Sequence, residues 1–224
     1  LLGPPGSGKG TQAARICTDL QFSKISIGDM LRESIKKKDE MGKKAKRYLA
    51  KGKLLPDELV FRMVKREIMK IEKGNIVFDG FPRNVSQAES LDSLLESMNK
   101  EITRVLYFDV PYDVLVRRLS LRRICPRCGE VYNIESTPPR VEDTCDKCKS
   151  RLEMRVDDNA EVVQERFGVY EKETAPLKKY YEDRGLLRTI SSSGSKDSIW
   201  RSVKQYIEEE LHGRSEHTKG VNEK

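Results

Sequence analysis

Apolar positions along the chain come in two patterns. Short, nearly continuous apolar runs occur at Asn75–Asp79 and Val105–Val110, with a last strand pattern at Leu186–Ile190, a shorter one at Lys24–Ser26 and the apolar pair Leu1-Leu2 at the start. Such runs predict strands of a parallel sheet buried on both faces, with Lys24–Ser26 on the edge side. Between them lie stretches with helical spacing. Thr11–Cys17 has no breaker. Leu59, Val60, Met63, Val64, Ile68 and Ile71 share one face of a helix expected from Pro56-Asp57 to Gly74. Another helix is expected over Ser86–Met98. One beginning at Pro111 would put Leu115, Arg118, Leu119 and Arg122 near one face. Asp158-Asn159-Ala160-Glu161 resembles a capping box with Asp158 as the cap, opening a helix that carries Val162, Val163, Arg166, Phe167 and Tyr170. Pro176 breaks that run, a short helix reaches Gly185, and a last helix carries Ile199, Val203, Ile207 and Leu211. Five strands alternating with helices predict an α/β fold: a five-stranded parallel sheet with helices on both faces. Ligands of such folds sit at the C-terminal ends of the strands.

Two stretches interrupt the alternation. Residues 26–55 are polar and lysine-rich, with helical patterns broken at Asp39 and Gly52, and read as a small helical subdomain that adds little to a central core. Residues 121–158 form a second insertion. The core domain then comprises 1–25, 56–120 and 159–211, and the polar residues 212–224 read as a disordered tail. Charged residues make up 35% of the 224 positions against 37% hydrophobic, and no apolar run approaches the roughly 18 residues of a membrane span. The chain reads as a soluble cytoplasmic protein without a membrane partner. It opens without methionine and almost inside its first strand, so a few N-terminal residues are expected to be missing. A net charge of +7 points to polyanionic ligands, and nucleotide phosphates are a less demanding reading than nucleic acid.

The chemistry starts in Gly3-Pro4-Pro5-Gly6-Ser7-Gly8-Lys9-Gly10-Thr11. Glycines let the backbone turn tightly with N–H groups converging, a helix follows at once, and Lys9 adds a mobile charge. The G-x4-G-K spacing matches the P-loop, with Gly10 where a hydroxyl residue usually stands and the hydroxyl displaced to Thr11. Asp79, ending an apolar strand, matches the second acidic element of P-loop proteins, which holds Mg²⁺ through water. Arg32, Arg83, Arg118, Arg122, Arg155 and Arg166 occupy loop or helix positions compatible with the same edge, although spacing alone does not select them. Cys125-x-x-Cys128 and Cys145-x-x-Cys148, sixteen residues apart, have the spacing of a four-cysteine zinc ribbon. That set has no open coordination position, so its metal is structural. Cys17 reads as a small buried residue on the first helix.

Together, Gly3–Thr11, Ser26-Ile27-Gly28-Asp29-Met30-Leu31-Arg32, Asp79-Gly80-Phe81-Pro82-Arg83 and Arg155-Val156-Asp157-Asp158 resemble the adenylate kinases, in order and spacing, to about residue 210. Gly10-Thr11 is what that family carries. The resemblance implies reversible transfer of the terminal phosphate of MgATP to AMP, giving two ADP, by a monomer without a nucleic-acid partner. It implies that Gly6, Ser7, Gly8, Lys9, Gly10 and Thr11 hold ATP phosphates beside Arg118 and Arg122, with Val131, Tyr132 and Lys196 also contacting ATP. AMP would meet Ile27, Arg32, Lys53, Leu54, Leu55, Gly80, Phe81, Pro82, Arg83, Gln87, Arg155 and Arg166. Lys9, Arg83, Arg122, Arg155 and Arg166 would act on the moving phosphoryl group, and 121–158 would be a zinc-held lid. Ile27 departs from the family's threonine and removes one polar contact to the base. A UMP/CMP-type kinase is the alternative; a zinc-ribbon nucleic-acid-binding ATPase is disfavoured because the ribbon offers only Tyr132 for base stacking.

Overall fold

A computed structural model describes the backbone of residues 1–219 and side chains through His212. The first half runs α1 (Lys9–Leu20), β1 (Ser23–Ser26), α2 (Ile27–Lys37), α3 (Glu40–Leu49), α4 (Asp57–Ile68), β2 (Ile76–Asp79) and α5 (Val85–Glu96). Then follow β3 (Val105–Asp109), α6 (Tyr112–Ser120), β4 (Arg122–Ile124), β5 (Val131–Asn133) and α7 (Ala160–Val169). A π-turn (Tyr170–Thr174), α8 (Pro176–Glu182), β6 (Leu187–Ser191) and α9 (Lys196–Lys219) complete the chain.

β1 pairs with β2 in parallel from Ser23–Ile76 to Ser26–Asp79, and β3 with β6 from Val105–Leu187 to Asp109–Ser191. Leu1-Leu2 lies between the pairs. Leu2 N donates to Leu106 O and Leu2 O accepts from Phe108 N, both at 2.8 Å, while the Leu1 amino group donates to Phe78 O at 2.8 Å. With two residues, this segment makes a single bridge, Leu2–Tyr107, so the described strands stand as two parallel pairs flanking it. β4 and β5 form a separate antiparallel pair.

Side chains alternate across the strands as the pleat requires. Val77, Leu106, Phe108 and Ile190 pack with Ile16 of α1 and Ile199, Trp200 and Val203 of α9. On the opposite face Leu2, Val105 and Leu187 meet Ala88 of α5 and Leu177 and Tyr181 of α8. Helices therefore cover both faces, and each large side chain so buried contributes roughly 1.5–3 kcal/mol.

Several local expectations are corrected. α4 stops at Ile68, before Ile71 and Gly74, because i→i−3 bonds (Lys70 N to Glu67 O, Ile71 N to Ile68 O) tighten and close its last turn. α6 ends at Ser120 and Arg122 opens β4, so Arg118 and Arg122 share no helix face. The cap of α7 is Asn159, whose side chain accepts from Val162 N at 2.9 Å; the Asp158 carboxylate is committed to Arg122. Ahead of Pro176, which cannot donate, the helix widens until Ala175 N reaches Tyr170 O at 2.8 Å. The polar segment 27–55 adds Ile27, Leu31, Ala45 and Leu55 to one cluster with Val60, Met63, Phe78, Phe81 and Leu91, so it does share the core. α9 continues to Lys219, past His212 where disorder was expected; residues 220–224 of that expected tail lie outside the described residues.

Candidate functional site

The glycine loop folds around its own lysine. Gly3, Gly6 and Gly8 have φ of 144°, 84° and 93°. A Cβ on Gly3 would stand 2.8 Å from Phe108 O, so the loop packs directly on β3. α1 begins at Lys9, two residues earlier than expected, with Gly8 as its left-handed N-cap. The first N–H groups of the helix thus belong to the loop itself. Lys9 Nζ donates to Gly3 O at 2.6 Å, Pro4 O at 2.8 Å and Ser7 Oγ at 3.2 Å. Ser192 Oγ, after β6, donates to Ser7 O at 2.9 Å and ties the loop to the second strand pair. Burial lowers the Lys9 ammonium to about 7, with Asp79 opposing and Arg83, Arg166 and Arg122 reinforcing. Gly10 faces the acid: a Cβ there would lie 3.4 Å from Asp79 Oδ2. Ser26 Oγ donates to the same oxygen at 3.3 Å. Thr11 occupies the first turn of α1.

Five arginines gather: Arg32 from α2, Arg83 from the loop after β2, Arg122 from β4, Arg155 from the stretch before α7 and Arg166 from α7. Arg83 Nε donates to Gly80 O at 2.9 Å, in the loop that holds the cis Phe81–Pro82 bond. Arg32 reaches Asp29 Oδ1 at 2.6 Å and lies over Gly28, where a Cβ would be 2.9 Å from its Nη2. Arg122 grips Asp158 with both prongs of its fork, Nε to Oδ2 at 2.7 Å and Nη2 to Oδ1. Arg166 Nη1 donates to Asp157 O at 2.8 Å and meets Asp157 Oδ2 at 2.9 Å and Asp158 Oδ1 at 3.2 Å. Arg155 differs, because its Nε is buried without a hydrogen-bond partner. Burial first, then neighbouring guanidinium groups, lower Arg83 to about 10 and Arg155 to about 9, and push Arg166 down as well. Burial alone would raise the Asp157 carboxyl, but Arg166, Arg155, Arg122 and Arg32 hold it below its usual range. The cations outnumber their carboxylates, which suits a polyanion. Arg118 stands apart, partly exposed on α6, its pKa lowered by burial. Asp157 and Asp158 carry no assigned role in the sequence motif. Here they hold two of the arginines, and two adjacent acids amid many arginines were the available signal.

Beside Arg83 a pocket is lined by Ile27, Gly28, Leu31, Leu49, Lys53, Leu54, Leu55, Val60, Gly80 and Gln87. Phe81, expected among the AMP contacts, is 1% exposed and packs in the core near Phe78, which leaves only its backbone for a ligand; Pro82 follows it in the cis loop.

Among the described residues one cysteine cluster has metal-binding geometry. The Sγ atoms of Cys125, Cys128, Cys145 and Cys148 all lie within 4.8 Å of one another, with Cys125–Cys148 at 3.3 Å and Cys128–Cys145 at 3.5 Å. Sulfurs around a tetrahedral zinc, with Zn–S of ~2.3 Å, stand about 3.8 Å apart. The two pairs build the same turn. Cys125 N bonds Glu130 O and Gly129 N bonds Cys125 O; Cys145 N bonds Ser150 O and Lys149 N bonds Cys145 O, all at 2.9 Å. The residue after each second cysteine, Gly129 (φ 78°) or Lys149 (φ 60°), is left-handed. Hydrogen bonds from Ser150 draw the Cys148 thiol down to about 6, the direction that a thiolate ligand needs. Tyr132 is buried in this unit, its hydroxyl accepting from Asp146 N at 2.8 Å, so its ring belongs with the cysteines; Val131 is exposed beside it. Lys196 Nζ donates to Thr137 Oγ1 at 3.0 Å, and its carbonyl accepts from Gln12 and Arg15 of α1 at 3.4 Å, so it bridges the insertion and the first helix.

Known proteins match this chain in sequence. A family model described as "Adenylate kinase" matches residues 1–186. A protein named "Adenylate kinase" from Thermotoga neapolitana is 47% identical over 210 residues, covering 92% of this chain and 95% of that protein. Proteins of the same name from Hydrogenobaculum sp. and Archaeoglobus fulgidus are each 43% identical, covering 92% and 93% of this chain and 98% and 96% of their own lengths.

Proposed function

The chain belongs to the adenylate kinase family, an enzyme that moves a phosphoryl group between ATP and AMP, and on that premise we propose how its residues divide the work. The loop N–H groups of residues 6–11 and Lys9 bind the ATP phosphates, with Arg118 and Arg122 beside them. Arg32, Arg83, Arg155 and Arg166 collect the AMP phosphate and the moving group. An AMP phosphate oxygen forms the new P–O bond as the bond to ADP breaks, so no protein nucleophile is needed and catalysis rests on positioning and charge. Asp79 fits the Mg²⁺ that accompanies ATP, because one carboxylate facing the P-loop leaves the ion's other positions to phosphate and water. The ion supplies charge neutralisation. The four cysteines fit Zn²⁺ as a structural ion. Residues 26–55 and 121–158 close over the nucleotides and exclude water. The bonds around Leu1-Leu2 support one five-stranded sheet in the order β1, β2, Leu1-Leu2, β3, β6. We place the enzyme in a reducing cytoplasm, as a monomer.

The observation that carries this reading is the convergence of Lys9, Arg83, Arg155 and Arg166 on one site, where burial lowers the pKa of each and an anionic ligand would offset that cost. ADP formation from ATP with AMP, UMP, CMP and GMP in parallel tests it. AMP should be preferred strongly, and a pyrimidine preference would overturn it. Lys9 also gives a pH signature. Its folded pKa near 7 lies below the ordinary lysine value, so the unfolded chain binds more protons between about pH 7 and pH 10.4. Folding stability contributed by this group therefore rises across that window. Phosphates restore the charge, so ATP binding at pH 8 should take up close to one proton. Calorimetry in two buffers of different ionisation enthalpy reads this, and Lys9→Met should abolish the uptake.

A further inference from the structure

Asp57, the first residue of α4, accepts two hydrogen bonds from the region of α5: Gln87 Nε2 at 2.6 Å and Asn84 Nδ2 at 2.9 Å. Gln87 lines the pocket beside Arg83 and is 3% exposed. Its Oε1 accepts the Arg83 backbone N–H at 2.8 Å. Asn84 is held in turn as the cap of α5, its Oδ1 accepting from Gln87 N at 2.8 Å. A terminal amide can exchange its oxygen and nitrogen by a half-turn wherever its neighbours tolerate both. Here they do not. The flipped amide would set Oε1 against the Asp57 carboxylate and Nε2 against the Arg83 N–H, two repulsive pairs in a buried position.

We propose that Asp57 is a specificity-determining residue that acts through Gln87, locking its amide so that the pocket presents one N–H and one oxygen lone pair in fixed places. The inference rests on the reading of this pocket as the AMP site. After its two contacts Gln87 keeps one hydrogen and one lone pair for the base. The edge of adenine offers an acceptor at N1 beside a donor at the 6-amino group; a 6-oxopurine reverses both. A locked amide matches the first pattern and opposes the second, whereas a rotating amide serves either. Ile27 in the same pocket has no hydroxyl with which to share the task.

Asp57→Asn keeps the shape but presents an amide that can meet either orientation of Gln87, removing one of the two repulsions that oppose the flip and leaving that of the Arg83 N–H. With ATP saturating, the ratio of kcat/KM for AMP to that for IMP should fall about tenfold, chiefly through KM, while KM for ATP and the melting temperature hold. A ratio within about twofold of the parent's would overturn the proposal. In a Gln87→Leu background the same substitution should move the ratio less than about twofold; a full tenfold fall there would show that Asp57 acts by another route, and would also overturn it. If Asp57→Asn melts early, Asp57→Ser, whose hydroxyl donates or accepts, should give the same fall, and its failure to do so counts equally. A parent protein with no preference for AMP over IMP would instead overturn the assignment of the pocket.

Discussion

Residues 27–55 and 121–158 both leave the α/β body and return to it, yet they bury different things. The first sends Ile27, Leu31, Ala45 and Leu55 into a cluster completed by α4, β2 and α5. α2 and α3 approach so closely that a Cβ on Gly42 would stand 2.1 Å from Ser34 O. The second gathers Cys125, Tyr132, Cys145 and Leu152, with Cys148 against them, into a separate small cluster, while Val141, Met154 and Val156 stay exposed at 61%, 48% and 69%. An insertion that borrows the body's apolar core joins its cooperative unit. One that cannot bury enough surface of its own needs a ligand to hold it, and is stabilised separately. One direct hydrogen bond joins the two, from Lys36 Nζ to Arg127 O at 3.2 Å.

The largest effect should come from the metal set. Cys145→Ser, at a buried ligand position, should release zinc and abolish amide protection over roughly 122–153 while leaving α2 and α3 protected. Hydrogen exchange read by mass spectrometry checks this, and simultaneous loss in 27–55 would break the contrast. Leu31→Ala comes next. It removes a side chain 3% exposed, should cost about 2–5 kcal/mol, and should lower the stability of body and segment in one transition, with zinc retained. Two separated transitions in a calorimetric scan would refute the shared core. Lys36→Met cuts the link between segments. Its hydrogen bond is exposed, so the loss should be about 0.5–1 kcal/mol, a two- to fivefold smaller closed population by fluorescence transfer between labels on α2 and the cysteine unit. The smallest change sharpens the symmetry of the two cysteine turns: Lys149→Gly should stabilise the unit by about 0.5–1 kcal/mol, because Gly129 already fills the matching left-handed position without a Cβ. A lower zinc affinity in that variant would show that the lysine stem packs usefully there.

What was legible in the sequence was whatever short spacing encodes. Gly3–Thr11 specifies a turn, a helix start and a charge within nine residues, and C-x-x-C specifies a knuckle within four. Apolar runs mark β2 and β3 because a strand buried on both faces must be apolar throughout. Gly10 was readable as a departure from the general P-loop, whereas only the fold shows what it faces: a Cβ there would stand at ordinary contact distance, 3.4 Å, from Asp79 Oδ2. The same division runs through the rest of the site. That Arg122, Arg155 and Arg166 are arginines is local information. That Arg122 forks onto Asp158, 36 residues away, while Arg155 Nε is buried without a hydrogen-bond partner, depends on where the chain returns. Gln87 was recognisable by position, whereas its locking by Asp57 thirty residues earlier was not. Tyr132 reads in the sequence as an ATP contact, and only the fold shows its ring buried with the cysteines. Backbone preference and periodicity act over a few residues and can be read along the chain. Burial, ion pairing and amide orientation belong to pairs of residues that only the folded chain brings within 3 Å.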